Sequence, residues 1–131
     1  MKKEVTAHNY APVFDYQGLL DFWNHQNAVI ERVLSAFIQA KGGYLSDMQH
    51  SLRSRNSVTI RAACHKLSGS ASTVRALRVA EISEHIRTAA IAEDFESADQ
   101  LLPQLQQALN DFLHEVGETF PNLKEKIDNE V

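Results

Sequence analysis

The feature that most constrains this chain is the helical spacing of its apolar residues, which recur every three to four positions along almost its whole length. No stretch alternates apolar and polar residues with the period of two that a half-buried strand shows. The pattern therefore predicts an all-α protein. The clearest stripe comprises Ala98, Leu101, Leu102, Leu105, Leu109, Phe112 and Val116.

Capping and turn residues divide this pattern into one short and four long helices. Asp15 is a candidate N-cap for the short helix, and the polar segment Ser54-Arg55-Asn56-Ser57 is a turn that opens the third helix. The predicted helices are Tyr16–Trp23, a second from Gln26 or Asn27 to Leu52, Val58–Val74, Ala76–Ala92 and Phe95–Val116.

Glycine and proline residues are expected to interrupt or end two of these helices. Gly42 and Gly43 are adjacent inside the second helix, where each costs roughly 1 kcal/mol relative to alanine, so we expect a bend or a break there. Pro103 lies inside the last stripe and predicts a kink, or a helix start near position 100. Gly117 is expected to end that helix as the first residue beyond it.

The short connections between the long helices predict how they pack. Helices joined by two to four residues pack as antiparallel neighbours. We therefore expect an antiparallel up-and-down four-helix bundle over residues 15–117, with the short helix lying across one end. Residues 1–14 are expected to form an arm that docks through Val13 and Phe14, and residues 118–131 a C-terminal extension that is a frayed turn or disordered.

Length and composition indicate one domain that needs no covalent or metal cross-link. A chain of 131 residues, 44% apolar, is long enough to bury its own core. The single cysteine, Cys64, excludes an internal disulfide and Cys-Cys zinc motifs. No apolar run approaches the roughly 18 residues of a membrane span, and the polar start contains no apolar signal core. We expect a soluble, cytoplasmic monomer without membrane insertion.

Basic residues are concentrated in the middle of an otherwise acidic chain. The formal net charge is −4, yet residues 53–87 hold seven basic and two acidic residues. Such a region favours a negatively charged partner or ligand, or is a solvated face. The basic residues are Arg53, Arg55, Arg61, Lys66, Arg75, Arg78 and Arg87.

The third predicted helix carries a histidine on the side opposite to its apolar stripe. At about 100° per residue, His65 lies roughly 160° from Leu67, the centre of the stripe, so its imidazole points into solvent. Arg61 precedes it by one turn and Gly69 follows it by one turn. A helix-interior glycine costs about 1 kcal/mol unless something must approach the backbone. An exposed ring nitrogen among donors for an anion is what a nucleophilic imidazole needs; the small polar neighbours are Ser68 and Ser72.

The segment Cys64-His65-Lys66-Leu67-Ser68-Gly69-Ser70-Ala71 resembles the signature of histidine-containing phosphotransfer (HPt) domains of two-component phosphorelays. That signature is a histidine followed by leucine two residues on, glycine four residues on and small residues after it. The resemblance includes the predicted bundle and the short helix at Asp15, and covers about residues 14–115. Where members tend to have Gly-Ala ten and eleven residues after the histidine, this chain has Arg75-Ala76. The resemblance implies that His65 is the phosphoacceptor.

The same resemblance implies a role in signalling. His65 would accept a phosphoryl group from a receiver-domain aspartate and pass it to another receiver aspartate, with response-regulator receiver domains and a hybrid sensor kinase as partners. The sequence has no Gly-rich nucleotide loop and no Walker-type lysine, so we expect a phosphocarrier without ATP-dependent kinase activity of its own. No cofactor or metal site of its own is expected, and Mg²⁺ would come with the partner receiver domain.

The sequence departs from the family pattern beside the histidine. Members commonly carry lysine three residues after the histidine, whereas this chain has Ser68, so Arg61 or Lys66 would have to supply the cation. The wheel favours Arg61, because Lys66 lies to the side of His65. Members often have a polar residue 22 positions after the histidine, on the next helix and beside the imidazole; here that residue is Arg87. Because an arginine only donates hydrogen bonds, it cannot accept one from a ring N–H, and it is assigned to the phosphoryl group or the partner. The residues predicted to contact the phosphoryl group or the partner are Arg61, Lys66, Ser68, Gly69, Ser72 and Arg87.

Three other functions remain for a helical bundle of this composition. A di-iron site would use pairs such as Asp47 with His50 and Asp111 with His114, but both histidines lie about 160° to 200° from the interior on their own wheels. A non-catalytic helical adaptor would bind a signalling partner through the basic face and never carry phosphate. Nucleic-acid binding through residues 53–87 conflicts with the overall acidity. Replacing His65 by glutamine separates the carrier from the adaptor.

Overall fold

The computed structural model describes residues 10–129, which form helices and contain no strand. The all-α prediction is confirmed. None of the helices in this range combines the length and the apolar character that crossing a membrane requires. In chain order the elements are α1, Tyr16–Phe22; α2, Asn27–Ser54; α3, Ser57–Thr73; α4, Leu77–Ile91; α5, Phe95–Thr119; a 3-10 turn, Pro121–Leu123; and α6, Lys124–Asn129.

The four long helices pack in a closed ring. In this ring α2 contacts α3, α3 contacts α4, α4 contacts α5, and α5 contacts α2. Connections of two or three residues join consecutive long helices. The result is a helical bundle, and the antiparallel direction of neighbouring helices stays a prediction from those short connections. Fully buried side chains at its centre include Leu34, Ile60, Leu67, Ile86 and Phe112.

Side-chain caps set where three of the helices begin. Asp15, Asn56 and Asp94 each accept a hydrogen bond from the backbone N–H three residues further on. Such caps satisfy backbone donors that have no partner inside the helix.

The chain leaves α3 through a left-handed residue, Arg75, whose φ is 62°. Glycine adopts this conformation freely, whereas a residue with a side chain pays roughly 1–2 kcal/mol. The Arg75 guanidinium lies over the ring of Phe22, 5.9 Å from its centroid, and the Arg75 carbonyl accepts a 3.0 Å hydrogen bond from the backbone of Asp15. The left-handed conformation favours glycine at this position, which is the residue that related domains tend to have. In this chain the contacts that Arg75 makes with Phe22 and Asp15 offset the conformational cost of an arginine.

The segment before α1 docks on the bundle. Phe14 is buried and Val13 packs against the core, as predicted. The Arg78 side chain donates a 3.0 Å hydrogen bond to the Ala11 carbonyl, and Glu81 accepts one from the Ala11 backbone N–H. Residues 1–9, the rest of the predicted arm, lie outside the described residues.

Of the bend or break expected at Gly42 and Gly43, the break is wrong, because α2 continues through both glycines to Ser54, and the bend stays a prediction. Both glycines are exposed, and a Cβ built on either would meet no neighbour within 4 Å. Ile38 and Met48, on either side, are fully buried in the core. Tertiary packing of the flanking turns therefore outweighs the local cost of two glycines.

The expectations for α5 are corrected at both ends. The helix starts at Phe95 and contains Pro103, so the late start near position 100 is wrong. It also runs past Gly117 to Thr119, and Gly117 is a buried helical residue rather than the terminator. A Cβ on Gly117 would lie 3.6 Å from the end of the Ile127 side chain. The glycine therefore lies where α6 packs against α5.

Residues 118–129 are ordered in helical structure, so the expected frayed turn or disorder is wrong there. Phe120, Leu123 and Ile127 are buried members of the hydrophobic core. The short helix α6 contacts both α5 and α2. Burial of these three apolar side chains stabilises the segment, although many of its other residues are charged. The last two residues of the chain lie outside the described range.

Candidate functional site

His65 lies on the exposed side of α3. Its helix buries Ile60, Cys64, Leu67 and Ala71 on the opposite face, as the helical wheel predicted. An imidazole in this position is open to a second macromolecule, because it is not enclosed by the helices of its own bundle.

His65 borders an open groove between α3 and α4, which we call the histidine groove. It is lined by Val58, Arg61, Ala62, His65, Glu84 and Arg87. The structure therefore brings two of the predicted cations, Arg61 and Arg87, to the same groove as the histidine. Val58, close to the start of α3, is 70% exposed, so the groove also has an exposed apolar side chain beside its charged ones.

Lys66 occupies the other side of α3. It lines a second groove, formed with α2, together with Gln39, Gly43, Tyr44 and Asp47. An apolar cleft, lined by residues that include Phe37, Ser70 and Val74, adjoins this groove and shares Tyr44 with it. We call the groove and the cleft together the α2 groove. Lys66 therefore does not line the histidine groove, in keeping with the wheel's preference for Arg61 as the nearer cation.

A carboxylate that sequence reasoning missed lies in the histidine groove. Arg87 Nε donates a 2.8 Å hydrogen bond to Oε1 of Glu84, three residues earlier on α4. This bond lowers the pKa of Glu84 below its usual range, although burial acts to raise it. Ser68 and the imidazole of His65 also lower the pKa of Glu84. The only signal in the sequence was an acidic residue one turn before Arg87 inside the basic region.

Ser68 is half-buried on the side of α3 that faces α4, whereas Gly69 and Ser72 are exposed. Ser68 is close enough to Glu84 to influence its pKa, so it belongs to the same cluster as Arg87. No heavy atom lies within 4 Å of a Cβ built on Gly69. Packing within the bundle therefore does not require glycine there, and the helix backbone is left accessible one turn after His65.

Cys64, the residue before His65, is not available for chemistry. It is completely buried, and burial raises the pKa of its thiol to about 12, with the charge of Glu84 acting in the same direction. Its Sγ lies 4.0 Å from the sulfur of Met48. A thiol with this pKa stays protonated near neutral pH, so Cys64 acts as a core residue.

The histidines that the structure describes besides His65 do not form a metal centre with nearby acids. His50 and His114, the candidates for the di-iron alternative, are both exposed, as their wheels predicted. Within residues 10–129 there is no group of three or more histidine, cysteine or acidic side chains that could hold a metal ion. His25 and His85 are also exposed and lie near Asp21 and Glu81 on their own helices.

Comparison with known proteins places the chain in a family. The family model described as the Hpt domain matches residues 32–119, more than half of the chain. The match runs from α2 to the end of α5 and includes His65 and both sides of the histidine groove. Searches of curated proteins and of solved structures found no match. The chain belongs to the Hpt domain family, whose members carry phosphoryl groups in two-component signalling and interact with receiver domains of response regulators and with kinases.

Proposed function

We propose that His65 accepts a phosphoryl group from the aspartyl phosphate of one receiver domain and passes it to the aspartate of another. The observation that carries this proposal is the exposed imidazole in an open groove beside Arg61 and Arg87. The position is reachable by a partner's phosphorylated side chain, and both guanidiniums can contact an anion there. The buried Cys64 offers no competing nucleophile next to it.

The transfer is a single displacement at phosphorus. The lone pair of one ring nitrogen attacks the phosphorus, a P–N bond forms, the P–O bond to the receiver aspartate breaks, and that aspartate leaves as a carboxylate. The second ring nitrogen keeps its proton. Transfer to the next receiver is the reverse displacement, so the imidazole returns unchanged. In this proposal Mg²⁺ belongs to the receiver domain.

The positively charged side chains stabilise the negative charge of the phosphoryl group. Arg61 and Arg87 can form charge-assisted hydrogen bonds to phosphoryl oxygens, whereas Ser68 can offer only a hydrogen bond from a neutral hydroxyl. Gly69 leaves room for the partner's backbone. Ser72 lies one turn further along the exposed side of α3, where it can contact the partner.

The phosphoryl group itself must come from outside the chain. We propose that it originates in a hybrid sensor kinase and that this protein, a cytoplasmic monomer without its own ATP-dependent kinase activity, only carries it. An acidic receiver pocket would be attracted to the basic residues around His65, which raises the rate of encounter more than the affinity. Weak affinity suits a carrier that must leave one partner to reach the next.

Incubation with a phosphorylated receiver tests the proposal. The wild-type protein should gain an acid-labile phosphoryl group, and His65→Gln should gain none, because glutamine lacks a nucleophilic ring nitrogen. His50→Gln is the matched control, since it removes an exposed histidine from α2 and should leave labelling unchanged. Equal labelling of His65→Gln and wild type would contradict the carrier function. If neither is labelled while both bind the receiver, the adaptor alternative holds.

A further inference from the structure

Arg87 is already engaged in the unphosphorylated protein. Its Nε is 2.8 Å from Oε1 of Glu84, and the two side chains are 39% and 44% exposed. No ion pair of this kind ties Arg61 to another described residue between positions 10 and 129. The two arginines of the histidine groove therefore start from different states, and only Arg87 must give up a partner to bind an anion.

Glu84 is also an unexpected residue for a groove that receives a phosphoryl group. Two negative groups in one groove repel each other, and the repulsion raises the free energy of the phosphorylated state. Arg87 compensates for one carboxylate while it is bound to it. When phosphate arrives, the same guanidinium faces two anions.

We propose that Glu84 is a gating residue, which holds Arg87 in the resting protein and releases it to the phosphoryl oxygens when His65 is phosphorylated. This inference rests on the proposed function and adds a property to it. The exchange makes phospho-His65 less stable than it would be with an unpaired arginine. The equilibrium between this protein and its receivers is thereby shifted towards the receivers, which favours onward transfer.

Ser68 supports this assignment from the other helix. A lysine in its place would bring a second positive charge to Glu84, so the carboxylate would not depend on Arg87 alone. The serine that this chain carries is near Glu84 but uncharged. The pair Glu84–Arg87 is therefore the element that phosphorylation has to rearrange.

Glu84→Gln tests the gate, with Glu125→Gln as a control that removes the same charge from α6, a helix that contacts α2 and α5. Both variants and the wild type are equilibrated with a phosphorylated receiver, and the fraction of phosphohistidine is measured. We expect Glu84→Gln to shift the equilibrium towards phospho-His65 by roughly five-fold, the size expected for removing one partly screened like charge. Glu125→Gln should match the wild type.

A further measurement follows Arg87 directly, and its wild-type arm does not depend on whether Glu84→Gln folds: an unchanged Arg87 signal on phosphorylation would overturn the gate. The Nε–H signal of Arg87 in ¹⁵N NMR spectra should move when wild-type protein is phosphorylated with phosphoramidate, and move less in Glu84→Gln, where the guanidinium starts free. A purely structural role for Glu84 would not produce that difference.

The outcomes separate this inference from the proposed function. If wild-type His65 is not labelled at all, the proposed function fails. If wild type is labelled but Glu84→Gln leaves the equilibrium unchanged, the gate alone is wrong. A shift towards the receiver in Glu84→Gln would also overturn the gate, because it would mean that Glu84 stabilises phospho-His65 instead of destabilising it.

Discussion

The two sides of α3 differ in what they offer a partner. The histidine groove, on the α4 side, holds the imidazole, two arginines and a carboxylate. The α2 groove has an apolar cleft, lined by side chains such as Phe37 and Val74 and by the hydrogen-bonded pair Tyr44 and Ser70 (2.7 Å), and a polar part that holds Asp47 and Lys66. Within residues 10–129, the combination of the His65 imidazole with two arginines is therefore found on the α4 side of α3. This difference is the reason for proposing phosphoryl chemistry on the α4 side, although both sides contain an exposed cation.

The largest expected effect comes from removing the cations one at a time. Arg61→Ala and Arg87→Ala should each slow phosphoryl transfer roughly ten-fold, because a charge-assisted hydrogen bond is worth about 1.5–3 kcal/mol. Lys66→Ala, on the other side of the helix, should change the rate less than about two-fold. Rates would be measured by rapid quench with a phosphorylated receiver at low and high salt, and the losses should be greatest at low ionic strength.

An equal loss in Lys66→Ala would contradict the assignment of chemistry to the histidine groove. Unchanged rates in both arginine variants at every salt concentration would exclude electrostatic guidance by this side of α3 altogether.

Apolar contact should contribute less than charge. Val58→Ser removes the 70% exposed side chain at the end of the histidine groove, and we expect the KM for the receiver to rise roughly three-fold with kcat little changed. Phosphorylation by phosphoramidate, which needs no docking surface, should not respond. Phe22→Ser serves as the control, since Phe22 is 63% exposed on α1, outside the groove. A larger effect of Phe22→Ser would move the docking surface to that end of the molecule.

Two glycines allow the sides of α3 to be compared at the level of the backbone. Gly69→Ala and Gly43→Ala both place a methyl group in open space inside a helix, so each should raise the free energy of unfolding by roughly 0.5–1 kcal/mol. Only Gly69→Ala should slow transfer, by about three-fold, because the methyl group obstructs a partner next to His65. Urea unfolding and transfer rates give the two readouts. Slower transfer in both variants would show that the partner also covers the α2 side.

The smallest expected effect is on the pH dependence of stability. Because the pKa of Glu84 is lowered in the folded protein, its ion pair with Arg87 stabilises the fold above the ordinary carboxyl pKa, and this stabilisation is lost as the pH falls through the lowered value. The difference in Tm between wild type and Glu84→Gln should therefore be present near neutral pH and vanish in acid. A difference that grows on acidification would contradict the ion pair.

Much of the fold followed from local pattern, and the errors have a common cause. The helical stripes, the candidate cap at Asp15 and the turn at residues 54–57 were sufficient to predict the helices. The predicted break at Gly42 and the predicted stop at Gly117 were wrong, since each was argued from the local cost of glycine. Buried side chains elsewhere in the same helices decided the outcome, and such packing is not visible in a local pattern.

The candidate site shows the same division. The exposure of His65 follows from the helix period alone, because the period of 3.6 residues sets the direction of each side chain relative to its own stripe. Glu84 escaped detection because nothing local connects it to a histidine 19 residues earlier. Lys66 and Ser68 were ambiguous for the same reason, since their surroundings depend on which helix packs on which side of α3.

By itself, the sequence determined an all-helical chain and an imidazole that faces away from the core, since both depend on spacing within one helix. The tertiary structure alone decided that Glu84 lies in the groove beside His65, bound to Arg87, and that Lys66 faces α2. Those pairings depend on how buried stripes of different helices fit together, and the packing of side chains far apart in the sequence sets that fit.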